Sequence, residues 1–201
     1  MQAILLALDQ LAKPMPQAEQ QRFLERARNA CLRLRRDLDQ LLTVVKVERG
    51  TFDPRRDVVD LAPLLADIVD EFQGAAEARG LALRHVPTSL RIRTDGDLIE
   101  HLVRNLVSNA IEYTKRGSIL VGCRRRSASI DIEVHDSGIG IMRDDLEKIF
   151  HEFHRVDPAT GEGLGLGLSI AKQIADVLGH TLTVQSEPGE GTCFRIGVPR
   201  V

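Results

Sequence analysis

The feature that most constrains this chain is a predicted helix over residues 100–114 that carries two asparagines beside an apolar face. Asn105 and Asn109 are four residues apart, so they lie one above the other on a helix. The predicted buried face is formed by apolar residues at helical spacing, namely Leu102, Val103, Leu106, Val107 and Ala110. Because a buried amide needs a partner, the pair indicates either a polar network or a ligand. An amide oxygen is a suitable donor for Mg²⁺ that phosphates already chelate.

Composition is that of an ordinary globular protein. The chain has 201 residues, 43% of them hydrophobic, and a formal net charge of −2. This is enough for one domain and a smaller appendage, and the balanced charge argues against nucleic acid as a partner. No apolar run reaches the roughly 20 residues of a membrane span, so no membrane contact is expected. The three cysteines have no metal-binding pattern, which favours reduced structural thiols and a cytoplasmic location.

The first 50 residues predict a helical hairpin. A short helix over residues 1–11 ends at the prolines within residues 13–16, and a second helix is predicted over residues 18–47. Its apolar residues alternate at spacings of three and four and form a narrow seam: Phe23, Ala27, Ala30, Leu34, Leu38, Leu41 and Val45. Since one hairpin buries too little apolar surface, we expect a homodimer through a helical bundle. The alternative is a hairpin packed on its own domain.

A second domain is predicted over residues 51–201, after a linker at residues 51–57 that is rich in charge and proline. Its predicted helices span residues 61–79, 100–114, 144–151 and 169–178. Its predicted strands span residues 81–86, 90–94, 118–123, 129–135, 181–186 and 193–198. This mixed order predicts an α+β domain. The arginines of residues 124–126 are expected to form a solvated hairpin tip.

Two glycine-rich segments follow. Asp136 ends a predicted strand and precedes Gly138 and Gly140, a pattern that ordinary turns also show. Residues 161–168 have glycine at every second position and run straight into a helix. Glycines allow close backbone approach and a helix start presents free amides, so phosphate is the natural ligand. No Gly-Lys-Ser follows and no strand directly precedes, so the segment fits neither a P-loop nor a dinucleotide fingerprint.

Four motifs stand in one order along the chain. They are Asn105-x-x-x-Asn109-Ala110-x-x-Tyr113-Thr114, Asp136-x-Gly138-x-Gly140, Gly163-Leu164-Gly165-Leu166 and Gly189-x-Gly191-Thr192. Together they resemble the ATP-binding domain of sensor histidine kinases, over about residues 51–200. The resemblance implies a two-layer α/β sandwich of the histidine kinase, gyrase and chaperone ATPase type, preceded by the helical hairpin. The hairpin and the Tyr113-Thr114 ending favour histidine kinases within that superfamily.

The resemblance also implies ATP and Mg²⁺ as cofactors. By it, Asp136 accepts a hydrogen bond from the adenine amine, Asn109 ligates Mg²⁺ and Asn105 helps to position the phosphates. The two asparagines are thus the catalytic candidates. Arg155 would reach phosphate, and Thr192 would bound the adenine pocket. The remaining implied nucleotide contacts are Tyr113, Gly138, Gly140, Ile141, Gly163, Leu164, Gly165, Leu166 and Gly167. Residues 163–167 would hinge a lid, and residues 157–163 are expected to be the most mobile ordered segment.

Two departures from the family pattern matter. Glu112 replaces a lysine, which removes a phosphate contact and adds a like charge that Lys115 could offset. The family's phosphoacceptor box, a histidine followed by an acidic residue, Leu, Arg, Thr and Pro, is missing. We therefore expect the chain to begin inside the first hairpin helix and not to phosphorylate itself. None of the six histidines lies in such a box: His85, His101, His135, His151, His154 and His180. Near the lid, a surface histidine without function is favoured over a nucleotide contact for His151 and His154.

The implied function is that of a protein-histidine kinase. It would transfer the γ-phosphoryl group of ATP to a histidine for relay to the receiver domain of a response regulator. Two alternatives stay open: a degenerate domain that serves as a signalling scaffold, and a kinase that acts on a separate protein, as anti-sigma kinases do. Nucleotide affinity distinguishes the first, and an assay against candidate substrates distinguishes the second.

Overall fold

The computed structural model describes residues 54–152, residue 154, residues 165–199 and the isolated helical residue Leu24. The chain divides into two compact units, Met1–Val45 and Lys46–Val201, and the second holds all the described strands. The predicted hairpin of residues 1–50 lies outside the described residues except for Leu24. Its helices, its apolar seam and the homodimer therefore stay predictions.

The described part of the second unit contains three helices and seven strands. The helices are α1 (Leu61–Glu77), α2 (Gly96–Tyr113) and α3 (Gly167–Leu178). The strands are β1 (Asp57–Asp60), β2 (Leu81–His85), β3 (Arg91–Thr94), β4 (Gly117–Arg125), β5 (Ser129–Asp136), β6 (Thr181–Glu187) and β7 (Gly191–Pro199). All except β1 match predicted elements to within a few residues. Among these helices, none has the length and apolar character needed to cross a membrane.

Two local predictions are wrong. Asp57 belongs not to a linker but to β1, which pairs antiparallel with β3. In place of one helix over residues 144–151, the chain forms two short 3₁₀ helices, Arg143–Asp145 and Lys148–Phe150. Their tighter hydrogen bonds include that from the His151 amide to the Lys148 carbonyl at 2.9 Å. The segment is too short to propagate an α-helix, and 3₁₀ turns are typical of such connections.

The main sheet has the strand order β2-β4-β5-β7-β6. β2 pairs parallel with β4, whereas the other neighbouring strands are antiparallel. A parallel pair needs a long crossover, and here β3 and α2 supply it. Strands β1 and β3 form a separate two-stranded sheet.

The three helices cover one face of the main sheet. Inward residues alternate along the strands, so Ile132 and Val134 of β5 and Ile196 and Val198 of β7 are all buried. The largest fully buried side chains of the helices are Leu61, Leu65, Ile68, Ile99, Leu102, Leu106, Ile170 and Ile174. The result is the predicted two-layer α/β sandwich.

Both ends of α2 are fixed by side chains. Asp95 caps its first turn by accepting a hydrogen bond from the Leu98 amide at 3.1 Å. At the other end, Arg79 donates to the carbonyl of Ile111 at 2.9 Å. Asn109 lies in the last turns of this helix, so the two contacts fix where its side chain lies along the sheet.

One arginine of the turn between β4 and β5 forms ion pairs with the sheet. Arg126 donates to the carboxylates of Asp131 and Glu133, each at 3.1 Å. Both carboxylates are buried on the face of the sheet away from the helices. Arg195 donates to Glu133 at 3.2 Å and completes the network. The predicted solvated tip is confirmed for Arg124 and Arg125, which are exposed, whereas Arg126 is partly covered because it binds two carboxylates of β5.

Candidate nucleotide site

A groove opens between the end of α2, the end of β5 and the start of α3. It holds a cavity of about 70 Å³. Many of the predicted nucleotide contacts line it: Asn109, Tyr113, Asp136, Gly140, Ile141, Gly165, Gly167 and Thr192. The folding of the chain thus brings together residues from all four sequence motifs.

Asp136 ends β5 within this groove. The Gly138 amide donates to its Oδ1 at 2.8 Å, and the Thr192 amide donates to the same side chain. Burial raises the pKa of the Asp136 carboxyl, while the two hydrogen bonds and nearby His135 oppose the rise. An acceptor that backbone amides hold in place suits a neutral donor such as the amine of adenine.

The loop after Asp136 lies directly against the turn between β6 and β7. A Cβ atom added to Gly140, whose φ is +68°, would come within 2.0 Å of the Glu187 carbonyl oxygen. A Cβ added to Gly191, whose φ is +109°, would come within 2.0 Å of the Asp136 carbonyl oxygen. Close backbone approach therefore requires glycine in both motifs.

Ser186 connects these segments, although the sequence motifs do not include it. Its Oγ accepts a hydrogen bond from the Ile141 amide at 2.9 Å and donates to the Gly191 carbonyl at 2.8 Å. The same atom lies 2.9 Å from the Thr192 hydroxyl. Ser186 thus holds two predicted contacts in place. A serine ahead of a Pro-Gly turn is too common a signal to have revealed it.

The two asparagines of α2 lie in different surroundings. Asn109 lines the groove, whereas Asn105 is 8% exposed and is not among the lining residues. In the part of the chain that the structure describes, no group of three or more His, Cys, Asp and Glu side chains could hold a metal ion. Asn109 lines the groove, and its predicted role as a ligand of a phosphate-bound Mg²⁺ stays a prediction.

The start of α3 also borders the groove. Gly165 and Gly167 line it, while Leu166 between them is buried and its carbonyl accepts from the Ser169 hydroxyl at 2.9 Å. The first amides of a helix lack intrahelical partners, so this edge suits an anion. Three predicted contacts and most of the predicted lid lie outside the described residues: Arg155, Gly163 and Leu164. Their roles stay predictions.

Five lining residues were not predicted as contacts: Ile139, Ile149, His154, Leu168 and Phe194. Ile149 and Phe194 are almost fully buried, so they form an apolar wall that suits a planar base. Ile139 and Leu168 stand within the glycine-rich segments, and this position is the signal that could have revealed them. His154 lines the groove, and whether it contacts a nucleotide or has no function, as favoured from the sequence, stays a prediction.

Glu112 and Lys115 line a separate cavity together with Arg79 and Thr114. Neither side chain is among the groove-lining residues. This cavity shares Tyr113 and Ile139 with the groove, and the expected effects of Glu112 and Lys115 on phosphate binding stay predictions.

The fold and the groove define an ATPase domain in which helices cover one face of a mixed sheet. Residues 94–201 match the family model described as histidine kinase-, DNA gyrase B- and HSP90-like ATPase. The chain belongs to this family, and the domain is of the ATP-binding catalytic type found in histidine kinases.

Its relatives are sensor histidine kinases. The chain is 32% identical over 198 residues to sensor histidine kinase AtsR of Burkholderia thailandensis. The matched region covers 94% of this chain and 33% of AtsR. It is 33% identical over 183 residues to sensor-like histidine kinase SenX3 of Mycolicibacterium smegmatis. The matched region covers 89% of this chain and 48% of SenX3. The chain therefore spans about a third to a half of the length of these two proteins. Histidine kinase AdeS of Acinetobacter baumannii has the same fold, with a TM-score of 0.75 at 20% identity over 98% of this chain and 92% of AdeS.

Proposed function

We propose that residues 51–201 bind ATP with Mg²⁺ and transfer its γ-phosphoryl group to a histidine, as the catalytic portion of a sensor histidine kinase. The observation that carries the proposal is Asp136, a half-buried carboxylate held by backbone amides in a groove with apolar walls. Its chemistry suits adenine, and the relatives of this chain are sensor histidine kinases.

The two ends of the groove bind different parts of the nucleotide. Asp136 accepts from the adenine amine and Thr192 bounds the base. Asn109 holds Mg²⁺, and the start of α3 faces the phosphates. When bound, Mg²⁺ neutralises charge on the phosphate oxygens. Asn105, buried one turn before Asn109, is a positioning residue for the phosphate end.

Phosphoryl transfer places an imidazole nitrogen in line with the γ-phosphorus at about 3–3.5 Å. A nitrogen–phosphorus bond forms as the bond to the bridging oxygen breaks, and ADP leaves. None of the six histidines lies in the family's acceptor motif, so we place the acceptor outside these 201 residues. Dimerisation through the hairpin of residues 1–50 and relay to a response regulator receiver domain complete the proposal, with the cytoplasm as the place of action.

Calorimetry with MgADP and MgATP tests nucleotide binding. We expect affinity to fall when Mg²⁺ is chelated. Asp136→Ala should weaken binding by about 10- to 100-fold, because the adenine amine is then buried without a partner. The control is Asp144→Ala, which alters an exposed carboxylate. If Asp136→Ala binds as tightly as the control, the adenine assignment is wrong.

Incubation with γ-labelled ATP tests the acceptor. We expect no acid-labile, alkali-stable label on the 201-residue chain. Label should appear when a polypeptide that contains the family's acceptor motif is supplied. Phosphohistidine on the chain alone would contradict this and point to one of its own histidines.

One observation favours a second candidate, a nucleotide-binding scaffold without transferase activity. Among the described residues that line the groove there is no Lys or Arg, and Glu112 stands where the family has lysine. Nucleotide binding without transfer to any supplied acceptor would favour the scaffold over the kinase.

A further inference from the structure

The hydroxyl of Ser186, on β6, forms three hydrogen bonds at once. Its Oγ lies 2.8 Å from the carbonyl oxygen of Gly191 and 2.9 Å from the amide nitrogen of Ile141. The hydroxyl oxygen of Thr192 is the third partner, also at 2.9 Å. A serine hydroxyl has one proton to donate and two lone pairs that accept. Because a carbonyl only accepts and an amide only donates, the Ser186 proton goes to Gly191.

The contact between Ser186 and Thr192 therefore has one direction. With its proton committed to the Gly191 carbonyl, Ser186 can only accept from Thr192, so the Thr192 hydroxyl donates. Thr192 lines the groove and is 8% exposed. Its hydroxyl oxygen is left with lone pairs alone for a ligand.

Thr192 is a direct neighbour of Asp136. The two residues are opposite each other where β5 pairs with β7, and the Thr192 amide donates to the Asp136 side chain. An ionised carboxylate is also an acceptor, so this part of the groove offers two acceptors to a base. An amino group can donate to them. A carbonyl oxygen on the base would meet acceptors only and would lose its hydrogen bonds to water.

We propose that Ser186 is a positioning residue that favours a 6-aminopurine over a 6-oxopurine, because it holds the Thr192 hydroxyl proton away from the base. The proposal rests on the proposed nucleotide function and adds a residue outside the four sequence motifs. Ser186 is not among the described residues that line the groove, so it acts through Thr192. Without Ser186, the Thr192 proton is free to turn toward a C6 carbonyl oxygen.

Calorimetry on the whole chain tests the proposal with MgADP and MgIDP as probes. Inosine diphosphate carries a carbonyl oxygen in place of the amine at C6 and a proton on N1. The measured quantity is the ratio of MgADP affinity to MgIDP affinity, which should favour MgADP in the wild type. Ser186→Ala should lower this ratio by about tenfold, because the freed Thr192 hydroxyl can donate one hydrogen bond to the C6 oxygen.

Two further substitutions of Ser186 separate the hydroxyl from the size of the side chain. Ser186→Thr keeps the hydroxyl and should keep the wild-type ratio. Ser186→Cys has a sulfur that is a weak acceptor, so it should lower the ratio as Ser186→Ala does. It also provides the measurement if Ser186→Ala does not fold.

Ser137→Ala is the matched control. The Ser137 Oγ accepts from the Ser118 amide at 2.9 Å and donates to the Ser118 carbonyl at 3.3 Å, so it holds the loop after Asp136 through backbone contacts. Its loss should weaken both nucleotides equally and leave the ratio unchanged. In a Thr192→Val background, Ser186→Ala should change the ratio by less than about twofold, because the hydroxyl through which it acts is gone.

An equal loss of affinity for both nucleotides in Ser186→Ala would show that Ser186 only holds the backbone, and it would overturn the proposal. So would a wild type that binds MgADP and MgIDP equally well, or a full effect of Ser186→Ala in the Thr192→Val background. In these three cases MgADP still binds, so the nucleotide function stands. If the wild type binds neither nucleotide, that function fails and the role of Ser186 fails with it.

Discussion

Two carboxylates on strand β5 are held in opposite ways. Glu133 faces away from the helices, is 6% exposed and is met by Arg126, Arg195 and His135 at 3.1–3.2 Å. Asp136, three residues later, faces the groove and is held by backbone amides. Burial acts to raise the pKa of Glu133, but its basic neighbours outweigh burial and lower it. Burial raises the pKa of Asp136.

The two carboxylates have different roles within one strand: Glu133 contributes to stability, whereas Asp136 serves ligand binding. On the open face of the sheet, charge is balanced inside the chain and stabilises the folded state. On the groove face, burial disfavours the ionised form of Asp136, which costs stability until a ligand donor arrives. The groove also depends on backbone contacts that the open face does not need.

The largest effect is expected from Gly140→Ala, which breaks the groove side alone. The new Cβ would lie 2.0 Å from the Glu187 carbonyl oxygen, so we expect a loss of about 3 kcal/mol or more in the free energy of unfolding. Gly189→Ala is the matched control, because its φ is also positive but no atom lies within 4 Å of the added Cβ. It should cost about 1 kcal/mol. Urea unfolding measures both, and equal losses would contradict the close approach.

Glu133→Gln removes a charge from the ion-pair network on the open face of the sheet. It removes one of the two anions that Arg126 and Arg195 share and leaves them only Asp131, so we expect the free energy of unfolding to fall by about 2 kcal/mol. The affinity for MgADP should not change. Glu190→Gln in the exposed turn is the control and should have little effect on either quantity. A parallel loss of nucleotide affinity in Glu133→Gln would show that the two faces are coupled.

Asp136→Asn should have a smaller effect of the opposite sign on the unliganded protein. The folded-state pKa of Asp136 is raised, so its ionised form destabilises the fold at neutral pH and protonation relieves this cost. The pKa of Glu133 is lowered, so its contribution is present above its unfolded pKa and is lost as pH falls through the folded value.

The gain in Asp136→Asn and the deficit in Glu133→Gln should therefore both shrink toward zero in acid. Unfolding curves at neutral and acidic pH test this convergence. A deficit in Asp136→Asn at neutral pH would show that its charge stabilises the free protein.

The smallest effect is expected for His180. Like the two carboxylates, it has a shifted pKa and contributes to the pH dependence of stability. It is buried after α3, with Nε2 2.8 Å from the Thr94 hydroxyl. Burial lowers its pKa, with Arg56 adding to the shift and a backbone hydrogen bond opposing it. Its contribution to stability is therefore present above about pH 6.5 and is lost as pH falls through the folded pKa.

His180→Gln should flatten that part of the pH profile, whereas His151→Gln at the exposed turn should leave it unchanged. Thermal unfolding at a series of pH values provides the measurement. An unaltered profile in His180→Gln would assign the dependence to other groups.

The groove face of β5 was predictable from local sequence, and its open face was not. Alternating residues predicted the strand over residues 129–135, and the order of the four motifs, which resembles histidine kinases, indicated Asp136 as a site residue. The network of Glu133 depends on register, because Arg195 lies opposite it only once β5 pairs with β7. Register is a long-range property that no local pattern contains.

The same reason explains β1 and His154. Strand β1 has four residues and is stable only through its pairing with β3, so its local pattern resembles a linker. The place of His154 depends on the path of two 3₁₀ helices, whose three residues per turn differ from the α-helix that periodicity predicts.

The parallel pairing of β2 with β4 decides where the domain can be cut. The family match begins at Thr94, after both β2 and α1. A fragment that starts there would turn β4 into an edge strand with unpaired backbone groups, and it would strip α2 of the helix that packs against it. Exposed edges recruit other chains. We therefore expect a stable fragment to begin near Asp57, before β1, and a fragment cut at the limit of the family match to aggregate more readily.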